Sequence, residues 1–336
     1  MLLRLTHKRS CTLAVIILFG ALSAQQAVSK VQSSVVSSTR APSVSIRGRY
    51  NGKLVFTSDR HNTALSIWTM NPDGSSPTRL THSQPRGEIL PIFVHVYDDG
   101  PVWSPDGMKI AFFSNRNYTF ALYTMNADGS DVRLVTDQVP NPTAAAWSPD
   151  GTKIALVGGV FFAIEPGLPP PAIDIYSVNV DGSGLTKLTK ESGLNSSPTW
   201  SPDGSQIAFS SNRDPDQRQK IWLMNADGSS QRRLTDIHDT SNPLFYGDGW
   251  PSWSPDGSRI LFTGYRDFNG ARNCFEVNCF EIFVMNADGS NDHPLTNDPN
   301  RGGIYQLPRW SPDGTKLITS VELGTLSDVR NGIDRG

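Results

Sequence analysis

Cysteine is scarce, with three in 336 residues. Cys11 lies in the opening apolar run, which leaves Cys274 and Cys279, with four residues between them in "NCFEVNCFE". Two thiolates with no histidine beside them do not complete a zinc shell. In an oxidising compartment such a pair reads as a loop-stapling disulfide, with free thiols as the alternative. Net charge is also small: 30 Lys and Arg against 32 Asp and Glu leave -2 and a pI near 6.3. That balance gives no electrostatic reason to expect nucleic acid or an anionic membrane surface as partner. Missing too are a Gly-x-Ser-x-Gly elbow, a His-Glu-x-x-His pair and a phosphate-binding glycine loop. No cofactor and no metal ion are expected.

Long apolar runs are absent except near the start. There "CTLAVIILFGALSA" follows Arg4, Lys8 and Arg9 and ends among the small residues Ala21, Ser23 and Ala24. The run has about fourteen residues, short of the roughly 20 needed to span a bilayer. Residues 1–24 therefore read as a secretory signal peptide, with an uncleaved anchor as the alternative. After cleavage no integral membrane span is expected, and the location is periplasmic or secreted. Residues 25–48 form a Ser-rich linker, in which Val44 and Ile46 alternate with serine and could add one strand.

What the chain has in quantity is Gly (29), Pro (24) and repetition. "PVWSPDGMKIAFFSNR" begins at Pro101, "AAWSPDGTKIALVGG" at Ala145 and "PTWSPDGSQIAFSSNR" at Pro198. "PSWSPDGSRILFTGYR" follows at Pro251 and "PRWSPDGTKLITSVE" at Pro308. Trp103, Trp147, Trp200, Trp253 and Trp310 are thus 44, 53, 53 and 57 residues apart. Each unit continues to a second apolar stretch ending in Asn-x-Asp-Gly, then a short "RLT"-like close. Ser-Pro-Asp-Gly and Asn-Ala-Asp-Gly suit tight hairpins with glycine in the left-handed region. Four short antiparallel strands per unit, recurring at this period, predict an all-β fold of propeller blades; a linear solenoid is the alternative. A partial copy, "GKLVFTSDR…SIWTMNPDGSSPTRLT", supplies three strands at the start, and the last copy supplies two. Six blades of four antiparallel strands result, or five if the end copies merge.

The unit "WSPDG…IAF…IYxMNADG…RLT" resembles the TolB-type, WD40-like propeller repeat (PD40) over residues 49–322, with residues 323–336 as a tail. That resemblance implies an exported β-propeller and protein partners in the cell envelope. It departs from TolB itself, which carries an α/β domain before its propeller where this chain has the Ser-rich segment.

The recurrent residues read as structural. Ten aspartates in ten equivalent turns are turn-formers, because a catalytic carboxylate pair is needed once. The tryptophans anchor sheets to their neighbours. Arg60, Arg116, Arg213 and Arg266, at the ends of the second strands, are expected to make structural hydrogen bonds. The connections on the opposite side from the hairpins vary, and variable loops on a rigid face carry function. Three stand out, giving a candidate binding face of His95, Tyr97, Asp98, Asp99, Phe161, Phe162, His238, Tyr246 and Asp248. Phe161 and Phe162 could dock a partner or pack back onto the disk. The His and Asp residues could bind a divalent ion or run acid–base chemistry, although their spacing forms no metal signature. The favoured reading is a monomeric, non-catalytic binding protein for a protein partner or envelope polymer. The alternative is a propeller enzyme, such as a polysaccharide lyase or glycoside hydrolase.

Overall fold

The computed structural model describes residues 52–59, 65–82, 96–160, 172–190, 193–236, 247–265, 280–296, 302–311 and 313–324. The leader and linker, His95, Phe161, Phe162, His238, Tyr246, Cys274 and Cys279 lie outside them. Among the described residues all regular structure is β, and no helix is long and apolar enough to cross a membrane.

The chain divides into two compact units. One holds Met1–Val44 and Gly52–Asp99; the other holds Ser45–Asn51 and Gly100–Gly336. In the first unit, β1 (Leu54–Ser58), β2 (Ser66–Met70) and β3 (Thr78–Arg79) form one antiparallel sheet in chain order. Phe56, Trp68 and Met70 are its apolar cluster.

The second unit begins within β4 (Asp98–Trp103), which joins β5 (Lys109–Ser114), β6 (Ala121–Asn126) and β7 (Arg133–Thr136). The next sheet is β8 (Ala145–Trp147), β9 (Lys153–Val160), β10 (Ala172–Asn179) and β11 (Thr186–Lys187). It is followed by β12 (Asn195–Trp200), β13 (Gln206–Ser211), β14 (Lys220–Asn225) and β15 (Arg232–Arg233). Then come β16 (Asp248–Trp253), β17 (Arg259–Tyr265), β18 (Phe280–Asn286) and β19 (His293–Pro294). The last sheet has β20 (Gly302–Trp310) and β21 (Leu317–Gly324), so the strand runs past the expected boundary at residue 322. Three strands from the opening copy and two from the closing copy match the sequence expectation.

Both faces of each middle sheet are buried, so the second and third strands read as apolar runs rather than alternations. Ile207 and Phe209 pack with Trp200 against Ala155, Val157 and Ile175 of the preceding sheet. Ala208, between them, packs with Ile221 and Leu223 against Trp253 and Phe262 of the following sheet. Trp147 sits likewise among Phe113, Leu122, Ile154 and Leu156. Trp147, Trp200 and Trp253 therefore each anchor a sheet to the one before it. Trp147 Nε1 donates to Val102 O (3.2 Å) and Trp200 Nε1 to Ala146 O (3.1 Å).

The first strands of successive sheets lie beside one another, β8 by β12, β12 by β16 and β16 by β20, making an inner edge in this unit. The fourth strands form the outer edge. β11, β15 and β19 are two residues long and carry Lys187, Arg232, Arg233 and His293. Short, charged edge strands discourage pairing with another chain.

Candidate functional site

At one end of each sheet the two hairpins are bound together. The Ala127 amide donates to Met108 O, Val180 to Thr152 O, Ala226 to Ser205 O and Ala287 to Ser258 O, all at 2.9–3.0 Å. This fixes both turn types on one face and leaves the remaining connections on the other.

Every described turn aspartate on the hairpin face has a structural task. In Ser201-Pro202-Asp203-Gly204, Ser201 Oγ donates to Asp203 Oδ1 at 2.6 Å and the Ser205 amide donates to the same oxygen at 3.1 Å. The Gln206 amide donates to Ser201 Oγ, closing the ring of bonds. Gly204 takes φ +72°, a conformation glycine adopts without strain. The same bonds recur at Asp106, Asp150, Asp256 and Asp313. Hydrogen bonds from Ser254 and Ser311 hold the carboxyls of Asp256 and Asp313 down to a pKa of about 2. In the other hairpin set, Asp73, Asp128, Asp181, Asp227 and Asp288 are lowered by their Ser partners two residues on. A cleft of about 570 Å³ opens between neighbouring hairpins, over Trp200, Asp150, Asp203, Asp227 and Lys153. Its carboxylates are these same turn-formers.

The loop face is built differently. At its outer side the closing threonine of four copies turns inward as a fastener. The amide of Ile67 donates to Thr81 Oγ1, Ile175 to Thr189, Ile221 to Thr235 and Ile282 to Thr296, at 2.9–3.0 Å. Beside these threonines, the residue before the fastened isoleucine varies, and three copies place a charge there. Asp174 accepts from Thr189 Oγ1 (2.9 Å) and pairs with Lys187 (2.6 Å). Glu281 accepts from Thr296. Lys220, only 2% exposed, pairs with Asp214 (2.8 Å) and Asp216 (2.6 Å). Burial opposes its charge, but the two carboxylates outweigh burial and raise its pKa. Arg233 also binds Asp214. The loop between β13 and β14 is therefore a tied scaffold.

The described arginines at the ends of the second strands do more than hydrogen-bond. Arg213 lies over Phe209 (5.2 Å) and Trp222 (4.8 Å), and donates to Ser211 Oγ and Asn195 Oδ1. Arg116 lies over Phe112 and Tyr123 and donates to Ser114 Oγ. Where Val160 replaces the arginine, the aromatic pair is replaced by Leu156 and Tyr176. That sheet departs further. β9 and β10 have eight residues each, β8 only three. Gly158 lets Val139 and Pro140 pack where a side chain would collide.

Of the candidate binding residues, four are described. Asp98 and Asp248 are first residues of first strands, 1% and 0% exposed, rather than loop residues open to a ligand. The Asp98 amide donates to Leu65 O and the Asp248 amide to Gln219 O. Asp99, half-buried, accepts from Thr57 Oγ1 at 2.9 Å. Tyr97 is exposed. Asp98 and Asp99 belong to the first unit, Asp248 to the second. Among the described residues no three His, Cys, Asp or Glu side chains are grouped to hold a metal ion.

Sequence reading missed the fastening threonines, although Thr81, Thr189, Thr235 and Thr296 stand at the same place in four copies. It also missed a backbone feature of the first strands. In β12, β16 and β20 the ladder shifts register around a residue of positive φ: Ser197 (+53°), Trp250 (+54°) and Leu307 (+54°). Gly100 (+62°) holds the matching place in β4. All four precede a proline and stand three residues before the tryptophan. That invariant frame around a changing residue was the signal.

No family model matches the chain. An uncharacterised protein of Agrobacterium fabrum is 33% identical over 217 residues, 64% of this chain and 66% of that protein. The Tol-Pal system protein TolB of Anaeromyxobacter dehalogenans is 34% identical over 137 residues, 41% of this chain but 26% of TolB. The chain thus spans about two thirds of the first relative and about a quarter of the second. Among solved structures, one assigned to TolB of Agrobacterium tumefaciens superimposes with a TM-score of 0.57 at 26% identity. It matches 82% of this chain and 87% of that one. An oligogalacturonate lyase in complex with manganese shares the fold alone, with a TM-score of 0.56 at 17% identity over 82% of this chain and 69% of the lyase. The strand order, the hairpin motifs and these likenesses agree: the chain is a TolB-like β-propeller protein.

Proposed function

We propose that this is an exported, non-catalytic binding protein whose loop face engages a protein partner or another cell-envelope component. One observation carries the reading. Every described motif aspartate, together with Trp147, Trp200 and Trp253, Arg116 and Arg213, and the fastening threonines, makes turns, core contacts or strand fastenings, while differences between copies collect at the other end of the sheets. A rigid scaffold with variable loops on one face suits recognition. The likeness to TolB, a Tol-Pal system protein, supports an envelope partner and a periplasmic location. On this reading residues 1–24 are removed on export, Cys274 and Cys279 close a loop, and His95, Tyr97, Phe161, Phe162, His238 and Tyr246 form the contact face. Asp98 and Asp248 support that face from within.

The test is capture from envelope extract by the mature chain, compared with Phe161→Ala/Phe162→Ala. A defined protein should be captured and the double variant should retain at most about a tenth of it, the usual scale for losing a central apolar anchor. Equal capture by both removes the two phenylalanines from the interface. No specific capture at all counts against the function.

The enzyme reading has one observation in its favour, the fold shared with an oligogalacturonate lyase. It requires loop histidines and carboxylates to converge around a substrate. Turnover of oligogalacturonate by the purified chain, abolished in His95→Ala or His238→Ala, would establish it.

A further inference from the structure

The first strands present a position that the rest of the fold holds constant and the copies fill differently. In β4, β12, β16 and β20 the residue before the proline takes φ between +53° and +62°. Glycine adopts that conformation freely, and Gly100 is the residue one copy uses. Serine, tryptophan and leucine in the other three are strained, the bulky two most, and the following proline restricts them further. The strain is locked in. At Trp250 the shifted register takes the amide out of the ladder, and it donates to Ser210 Oγ on the preceding sheet at 3.2 Å.

Among the described residues, the core clusters around Trp147, Trp200 and Trp253 do not repay that strain at Trp250. Its side chain is half-buried and belongs to none of the inter-sheet clusters around Trp147, Trp200 and Trp253. Its indole N–H has no partner among the described residues. On the neighbouring first strands, half-buried Leu307 and Ser197 occupy the matching places. A strained residue persists where the structure over-determines it, and such residues cluster at ligand contacts. A bulge also re-aims a side chain out of the pleat.

We propose that Trp250 is a ligand-contacting residue that receives a proline-bearing, extended segment of a protein partner, with a pyrrolidine ring on the indole face and a peptide carbonyl accepting the indole N–H. The proposal rests on the binding function above. An aromatic face with a free donor at its rim is the pairing by which extended proline segments are bound, since they keep their carbonyls unpaired and their rings flat. Leu307, an aliphatic neighbour without donors, suits such a segment better than a sugar.

The test uses the full mature chain and the indole N–H resonances of its eight tryptophans. Trp250 is identified as the signal missing from Trp250→Gly. Capped triproline, at millimolar concentration, should shift that signal and leave the others nearly still; cellotetraose should not shift it. Trp250→Gly should unfold at the same or a higher temperature than the parent, because glycine relieves the backbone. A Trp250 signal that ignores triproline, or follows cellotetraose, overturns the proposal. So does a variant that unfolds several degrees lower, since Trp250 would then be a packing residue. A still Trp250 signal in a chain that captures an envelope protein rejects this contact alone. A chain that captures nothing rejects the binding function, while the titration still reports on Trp250.

Discussion

Asp256 shows how one residue type serves the fold repeatedly without serving chemistry. Its carboxylate accepts from Ser254 Oγ, from the Ser258 amide and from Ser258 Oγ. Those bonds hold its pKa at about 2, and Asp313 behaves alike. An aspartate free in the unfolded chain titrates near 3.9. Because the folded pKa is the lower one, these groups stabilise the fold above about pH 4 and lose that contribution as pH falls towards 2. The melting temperature should therefore hold from pH 7 to about 4 and drop steeply from about 4 to 2; a flat profile through that window would remove the turn carboxylates from the account. Thr235 gives a second test at this scale. Thr235→Val keeps the shape but leaves the buried Ile221 amide without an acceptor, so denaturant unfolding should show a loss of about 1–3 kcal/mol. The turn aspartates were legible because their motif repeats in full. The burial of Asp98 and Asp248 was not, since a polar residue next to a loop reads as exposed until the start of the strand is known.

Between elements, close approach of backbones sets what each hairpin can carry. Gly228 turns from β14 to β15 with φ +86°, and a Cβ there would lie 2.9 Å from the Leu188 carbonyl oxygen of the preceding sheet. Gly228→Ala meets both the conformational penalty and the contact, so it should cost more than about 1 kcal/mol in denaturant unfolding. A neutral result would mean that the hairpin does not rest on its neighbour. Arg213 couples three strands at the opposite end, through Asn195 on β12, Ser211 on β13 and Trp222 on β14. Comparison of copies makes this contact legible in the sequence: arginine accompanies two aromatics at Arg116 and Arg213, and where Val160 replaces the arginine the first aromatic becomes Leu156 while Tyr176 keeps the second. The strained residue in β4, β12, β16 and β20 was less legible, because only glycine advertises positive φ and only Gly100 is one.

Across the second unit, stability accrues sheet by sheet from tryptophans wedged between neighbours. Trp200 is buried among residues of its own sheet and the preceding one, and Trp200→Ala should cost about 3–5 kcal/mol. Such nearest-neighbour packing explains why the architecture could be read from five repeated tryptophans and their turns. The site could not be read in the same way, because it lies where the repeat gives out. Val160, for example, ends a strand two residues longer than β5 and β13 and leads into a segment with no equivalent in the other copies.

On the proposed function, the repeated motif holds the sheets while the unrepeated loops recognise a partner. The most direct test of this claim measures melting temperature and envelope-protein capture on two variants, Asp150→Asn/Asp203→Asn/Asp256→Asn on the hairpin face and Phe161→Ala/Phe162→Ala on the loop face. The first should melt lower yet capture normally below its transition, and the second should melt normally yet capture little. Loss of capture by the aspartate variant at an unchanged melting temperature would contradict the claim.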